Sequence, residues 1–129
     1  MTTLEFQIPV GSTAPALARA TLSAVAHPPP DAASDVLLLT SEVVTNAIRH
    51  AGSAPHDDVI VRVDPREDAV RVEVLNPGPG FDPQVPVSPS QTGTGLGLFL
   101  VDRLSSTWGV ESEAGRTKVW FEVAINGRR

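Results

Sequence analysis

The chain has 129 residues, 41% of them hydrophobic and none of them cysteine, which predicts one globular domain spanning residues 1–129 and excludes disulfides and thiol chemistry. The formal net charge of −5 argues against a general binder of nucleic acid or of a membrane surface, because both require concentrated basic charge. No signal peptide or apolar run of membrane-spanning length is recognisable, so we expect a cytoplasmic protein.

The N-terminal half is predicted to contain one short strand and two helices. Residues 5–8 are expected to form the strand, and Ser12 or Thr13 to cap a helix that ends near residue 26. Three prolines then interrupt the chain. A second helix is expected from about residue 31 to residue 51, because apolar side chains recur at helical spacing along one of its faces.

The C-terminal half is predicted to contain four strands and a third helix. Valine occupies alternate positions of residues 59–63 and 70–74, which predicts two strands joined by a short hairpin loop. The segment 77–90 is rich in proline, glycine and serine, and loops of this length are often functional lids. A helix follows to about residue 105, and two final strands flank a turn at Gly115.

This order of elements predicts the fold class. Strands joined by hairpins imply antiparallel pairing, and helices grouped beside such a sheet imply two layers. We therefore expect an α+β fold, a two-layer α/β sandwich with a mixed, mostly antiparallel sheet that carries its helices on one face. Four aromatic residues are expected in the core, namely Phe99, Trp108, Trp120 and Phe121.

Three polar residues lie four positions apart near the C-terminal end of the second helix: Glu42, Asn46 and His50. This spacing places them along one face of the helix. The face is either solvated or aimed into a cleft. In a cleft, an asparagine can offer a neutral oxygen to Mg²⁺, and a glutamate can act as a base.

A second candidate site begins at Asn76, which ends a predicted strand and precedes Pro77, Gly78, Pro79 and Gly80. The segment is either a plain turn or a ligand site, since proline and glycine are common in turns. In a ligand site, the Asn76 side chain would bond the edge of a base. Gly78 and Gly80 would then let the ligand approach the backbone closely.

The third candidate is a run of alternating glycines, Gly93, Gly95 and Gly97, directly before an apolar helical segment. Free N–H groups at the start of a helix attract phosphate, which favours a nucleotide site. The run is not a P-loop, because no Gly-Lys-Ser/Thr sequence follows it, and it lacks the preceding strand of a dinucleotide-binding fingerprint. Tight packing of the helix is the alternative explanation.

Taken together and in this order, the three constellations resemble the Bergerat-type ATP-binding fold shared by gyrase, Hsp90, histidine kinases and MutL. Residues 42–51 resemble its N-box, residues 74–81 its first glycine box and residues 92–98 its second. Thr117 resembles the threonine near the adenine. For so short a chain the resemblance is greatest to the stand-alone anti-sigma-factor serine/threonine kinases, which bind a sigma factor or an anti-anti-sigma partner.

The resemblance implies ATP and Mg²⁺ as cofactors and gives each residue an expected role. Asn46 would coordinate the Mg²⁺ that bridges the phosphates, and Glu42 would be the catalytic base that accepts the proton of a serine or threonine. The second glycine box would bind the phosphates through its N–H groups, and residues 81–92 would form a lid. The cofactor-binding residues implied in this way are Asn46, Asn76, Gly78, Gly80, Thr92, Gly93, Thr94, Gly95, Leu96, Gly97 and Thr117.

The chain departs from the family pattern at Asn76, where the first glycine box normally carries aspartate. The amide oxygen can still accept a proton from the adenine amino group, but the stronger charge-assisted bond is lost. The leading hypothesis is a serine/threonine kinase that phosphorylates an anti-anti-sigma partner of the STAS type and so controls transcription. The alternative is a non-catalytic module that binds a sigma factor or antagonist, with weak or lost nucleotide binding. A homodimer is also implied by the resemblance.

Overall fold

A five-stranded antiparallel sheet, in the order β1-β2-β3-β5-β4, organises the parts of the chain that the structure describes. The computed structural model describes residues 2–49, 58–76 and 96–125. The elements in these ranges are β1 (Leu4–Ile8), α1 (Ala14–Ala26), α2 (Pro30–Arg49), β2 (Val59–Pro65), β3 (Ala69–Leu75), α3 (Leu96–Leu104), β4 (Thr107–Glu113) and β5 (Arg116–Ala124). The predicted α+β fold is confirmed, and every neighbouring pair of these strands is antiparallel.

The core lies between one face of the sheet and the helices. Val61 of β2 pairs with Val74 of β3, and Val72 of β3 pairs with Phe121 of β5, so the alternate apolar residues of successive strands lie side by side. These side chains are buried together with the apolar face of α2, including Leu39. The period of two in the valine segments therefore covers the sheet with a continuous apolar layer.

The helix boundaries differ from the sequence prediction in two places. Thr13 precedes α1 as expected, but its side chain makes no capping hydrogen bond. α2 begins at Pro30, before the expected start at Asp31 or Ser34, because the missing N–H and fixed φ of proline are tolerated in the first turn of a helix. The last helical residue described in α2 is Arg49, so its predicted end near residue 51 lies outside the described residues.

The directions of the helices follow from two cavities. A cavity of about 430 Å³ is lined by Pro30, Val70 and Ile125, so α2 starts beside the start of β3 and the end of β5. A second cavity of about 220 Å³ is lined by Asp31 and Ser105, which places the end of α3 at this same end of the domain. α2 and β3 therefore run together toward the opposite end, and α3 starts there. We call this opposite end the Asn76 end.

The other face of the sheet carries a lattice of ion pairs. Arg62 of β2 pairs with Glu5 at 2.8 Å, Glu73 at 3.5 Å and Glu113 at 2.7 Å. Because β3 and β5 lie between β2 and β4, the contact from Arg62 to Glu113 requires the sheet to curve around this face. Further pairs join Arg66 to Asp64 and Glu122, Arg71 to Glu73 and Glu122, and Lys118 to Glu73, Glu111 and Glu113.

These ion pairs shift the pKa of three residues, Arg62, Glu113 and Lys118. The hydrogen bond from Arg62 holds the pKa of Glu113 below its usual range, and the bonds from Arg62 to Glu113 and Glu5 raise the pKa of the guanidinium. Burial lowers the pKa of Lys118, but its hydrogen bond to Glu111 and the charge of Glu73 outweigh that effect and raise it. Each of these three shifts favours the charged form of its residue.

We expect Glu113→Gln to lower the free energy of unfolding at pH 7 and to have little effect at pH 3. A carboxyl whose folded pKa is depressed stabilises the fold above its unfolded pKa of about 4.3, and that contribution is lost as the pH falls through the folded value. Urea unfolding at both pH values measures it, with the exposed Glu67→Gln as the control. An equal loss at both pH values would contradict the assignment.

Trp120 lies on the ion-paired face, so its predicted place in the core is wrong, whereas Phe121 is fully buried in the core as predicted. The Trp120 ring packs over Gly109, its partner on β4, and the Arg71 guanidinium lies 4.2 Å from the ring centroid. A Cβ at Gly109 would lie 2.8 Å from ring atoms of Trp120. Glycine is therefore needed at this position so that the indole can cover the strand.

We expect Gly109→Ala to lower the free energy of unfolding by about 1 kcal/mol. Overpacking costs about 1–3 kcal/mol, and the better strand propensity of alanine offsets about 0.5–1 kcal/mol of it. Thermal or urea unfolding measures the change. The matched control is Gly11→Ala, because a Cβ there meets no atom within 4 Å. Equal stability of the two variants would show that the Trp120 indole can move away from the new methyl group without loss of stability.

Candidate functional site

Asn76 directly follows β3 and is fully buried. Its backbone N–H donates to the carbonyl of Thr117 at 2.8 Å, which extends the β3–β5 ladder by one position. Its amide Oδ1 and Nδ2 are both buried, and neither has a hydrogen-bond partner in residues 2–49, 58–76 and 96–125. A buried polar group without a partner costs about 1–3 kcal/mol, so this amide points to a missing ligand rather than to a plain turn.

Thr117 is the residue to which the backbone of Asn76 is bonded. It lies near the start of β5, opposite Ser112 of β4, and is 3% exposed. Thr117 alternates with the buried Val119 and Phe121, and Asn76 continues the alternation of Val72 and Val74 in β3, so both side chains belong to the helix-bearing face. The structure thus brings together two of the predicted site residues.

Asn46 lies in the last described turn of α2 and is 4% exposed. Its Nδ2 is buried without a hydrogen-bond partner in the structure. Glu42, one helical turn earlier, is half-buried. The solvated-face explanation is therefore wrong for Asn46, while His50, the third residue of the predicted stripe, lies outside the described residues.

The N-terminus of α3 faces the same end of the domain. Leu96 and Gly97 are its first two residues, and the first N–H groups of a helix have no partner within it. Because α3 starts at the Asn76 end, the positive end of its dipole is directed toward the region of Asn46 and Asn76. The remaining glycine-box residues, Gly78, Gly80 and the segment 92–95, lie outside the described residues, as does the predicted lid.

A contact that sequence reasoning did not predict holds α3 in place. The indole N–H of Trp108 donates to Asp102 Oδ1 at 3.0 Å and ties the last turn of α3 to β4. Val101, on the buried side of α3, is 0% exposed. Trp108 is thus only partly buried in the core. In the sequence, the pattern that could have indicated the bond is an acidic residue six positions before a tryptophan, with a helix–strand junction between them.

Comparison with known proteins identifies the family. Residues 11–123 match the histidine kinase-like ATPase domain, so the chain belongs to this family of ATP-using domains. The match spans α1 to β5 and so includes Glu42, Asn46, Asn76 and Thr117. None of the helices in the described ranges is long and apolar enough to cross a membrane.

Relatives with assigned activities are similar along most of their length. The serine-protein kinase RsbW of Bacillus velezensis is 33% identical over 141 aligned positions, which cover 98% of this chain and 88% of that kinase. The serine-protein kinase RsbW of Staphylococcus aureus is 29% identical over 132 positions, covering 88% of this chain and 82% of the relative. These similarities support a kinase-like ATPase of the RsbW type.

A solved structure agrees with the fold. A chain in the crystal structure of the SiaB–SiaC complex from Pseudomonas aeruginosa superposes with a TM-score of 0.56 at 20% identity, covering 95% of this chain and 89% of that one. At this identity the match shows the shared architecture alone. The arrangement of sheet and helices that places Asn46 and Asn76 at one end is therefore present in a known structure of similar size.

We expect Asn46→Leu to raise the free energy of unfolding of the nucleotide-free chain by about 1 kcal/mol and to abolish its stabilisation by ATP and Mg²⁺. Leucine has a similar volume and removes a buried Nδ2 that has no partner. Thermal unfolding with and without the nucleotide measures both effects. Thr45→Ala is the control, because the Thr45 hydroxyl bonds the Ser41 carbonyl of its own helix. A destabilised variant that ATP still stabilises would contradict the role of Asn46.

Proposed function

We propose that this chain is a serine/threonine protein kinase that uses ATP and Mg²⁺ and regulates a partner of the anti-anti-sigma class. Membership of the ATPase family and the similarity to kinases named RsbW support the proposal. The observation that carries it is three buried amide atoms without a partner among the described residues, Nδ2 of Asn46 and both Oδ1 and Nδ2 of Asn76, at the end of the domain where α3 begins. A polar ligand in that space would supply the hydrogen bonds that they lack.

The nucleotide would lie with its base at Asn76 and its phosphates at the start of α3. The Asn76 amide would bond the edge of the base, with Thr117 at the floor of the pocket. Backbone N–H groups at Leu96 and Gly97 would bind the phosphates, because a helix N-terminus carries unpaired donors and a partial positive charge. By resemblance, the rest of the contacts would come from Gly78, Gly80, Thr92, Gly93, Thr94 and Gly95.

Asn46 fits the magnesium role on chemical grounds. Amide oxygens are among the hard ligands that Mg²⁺ accepts, and the cation usually takes one or two protein oxygens together with phosphate oxygens. The unpaired Nδ2 of Asn46 is left free to donate to a phosphate oxygen. When bound, the cation would neutralise negative charge on the phosphates.

Phosphoryl transfer would then need only positioning and one proton acceptor. The serine or threonine oxygen of the partner would form a bond to the γ-phosphorus while the bond from that phosphorus to the β–γ bridging oxygen breaks, leaving ADP. The hydroxyl proton would pass to the Glu42 carboxylate. Glu42 suits this role because it lies one helical turn from Asn46 and is only half-buried, within reach of a docking protein.

We expect Glu42→Gln to reduce phosphotransfer to the partner by about 10²–10⁴-fold while leaving ATP binding within a few fold. The assay follows radiolabelled phosphate into an anti-anti-sigma protein of the native host that co-purifies with the chain. Asp35→Asn is the matched control, since it removes a carboxylate from the same helix two turns away. A wild-type chain that binds this partner without transferring phosphate would exclude the kinase.

The second candidate is a module that binds a sigma factor or antagonist without catalysis. The neutral Asn76 amide favours it, because a neutral hydrogen bond is weaker than one to a carboxylate. Titration of a fluorescent ATP analogue separates the two, since a module of this kind would bind it weakly or not at all. Either function would use the same surface of this chain to bind its protein partner. A homodimer is compatible with both functions.

A further inference from the structure

We propose that the Asn76 amide lets this chain accept 6-oxopurine nucleoside triphosphates, such as those of guanine and hypoxanthine, as well as ATP. The inference rests on the proposed nucleotide site and names the feature that sets its base selectivity. Asn76 is 0% exposed, and neither its Oδ1 nor its Nδ2 has a hydrogen-bond partner among the described residues, so the side chain offers one acceptor and one adjacent donor to a bound base.

The two kinds of purine present opposite patterns to such an amide. Adenine offers the N6 amino group as donor and N1 as acceptor. Guanine and hypoxanthine offer O6 as acceptor and N1–H as donor. An amide can pair with either edge through two hydrogen bonds, because a half-turn of its terminal torsion exchanges the oxygen and the nitrogen.

The structure leaves that half-turn free. Asn76 is fixed through its backbone, whose N–H donates to the Thr117 carbonyl at 2.8 Å. Among the described residues no group bonds the side-chain amide, so none of them selects one of its two orientations. The neighbouring Thr117 side chain imposes no preference either, because a hydroxyl can both donate and accept.

A carboxylate at the same position would discriminate. It has acceptors only, so the oxygen that faces the 6-position of the base pairs with the N6 amino group of adenine but repels the O6 of a 6-oxopurine in the same pose. Guanine could avoid this repulsion by shifting to present its N1–H and N2 amino groups together, whereas hypoxanthine, which lacks N2, has only its N1–H to donate. Inosine triphosphate is therefore the probe that isolates the contribution of the amide.

The test is isothermal titration of ATP, GTP and ITP, each with Mg²⁺, into the wild type, Asn76→Asp and Asn46→Asp. We expect the wild type to bind ATP and ITP within about tenfold of each other, and Asn76→Asp to worsen the ITP-to-ATP ratio of dissociation constants by at least about tenfold. Asn46→Asp adds the same charge at the other buried amide. It should weaken both nucleotides while leaving that ratio unchanged.

A neutral variant is needed because the buried carboxylate of Asn76→Asp could itself disturb folding. Asn76→Leu should weaken ATP and ITP alike by about tenfold or more. Unchanged binding of both by this variant would overturn the inference, as would a wild type that binds ATP but rejects ITP, or the same ratio in Asn76→Asp. A wild type that binds none of the three would instead refute the proposed nucleotide site, and with it this inference.

Discussion

The desolvation of two asparagine amides is the constraint on which the functional interpretation depends. Asn46 and Asn76 are almost fully buried, and three of their four polar side-chain atoms have no partner in the structure. Buried polar groups in proteins are nearly always hydrogen-bonded, so both of these exceptions call for a partner. A polar ligand between α2 and the end of β3 would satisfy both, and a histidine kinase-like ATPase domain binds such a ligand.

The packing of α2 brings Asn46 to the same end of the domain as Asn76. One face of α2 is covered with buried aliphatic residues, which fix its rotation against β3 and β5, and the helix starts beside the β2–β3 turn. Its length of 20 residues then carries Asn46 to the Asn76 end, about 24 Å from Pro30. α3 returns antiparallel to it, with Val101 buried in the core and Asp102 bonded to Trp108 of β4. The packing of the helices and the β3–β5 ladder therefore position the candidate site residues.

Local patterns in the sequence were sufficient to predict the sheet and to propose a candidate site, but not to predict features that depend on distant residues. Alternating valines predict β2 and β3 because a strand repeats every two residues. The burial of Asn46 depends on which elements pack against α2. The spacing of residues along the helix gives no information about those elements. Trp120 shows the same limit, since its place outside the core depends on its pairing with Gly109 on another strand. The glycine boxes lie largely outside the described residues, so their roles remain predictions.

The two faces of the sheet differ in what they carry: one bears the ion pairs, and the other bears the core and the candidate site. On the ion-paired face, Arg62 and Lys118 form salt bridges with glutamates from several strands. These pairs join β1, β2, β3, β4 and β5 into one curved surface. On the helix-bearing face, the side-chain amide of Asn76 contributes no hydrogen bond to the fold. Its replacement therefore alters the ligand site without breaking any bond that its side chain makes. For this reason the position that we propose to contact the base can differ from the family pattern, with asparagine in place of aspartate, while the sheet around it is retained.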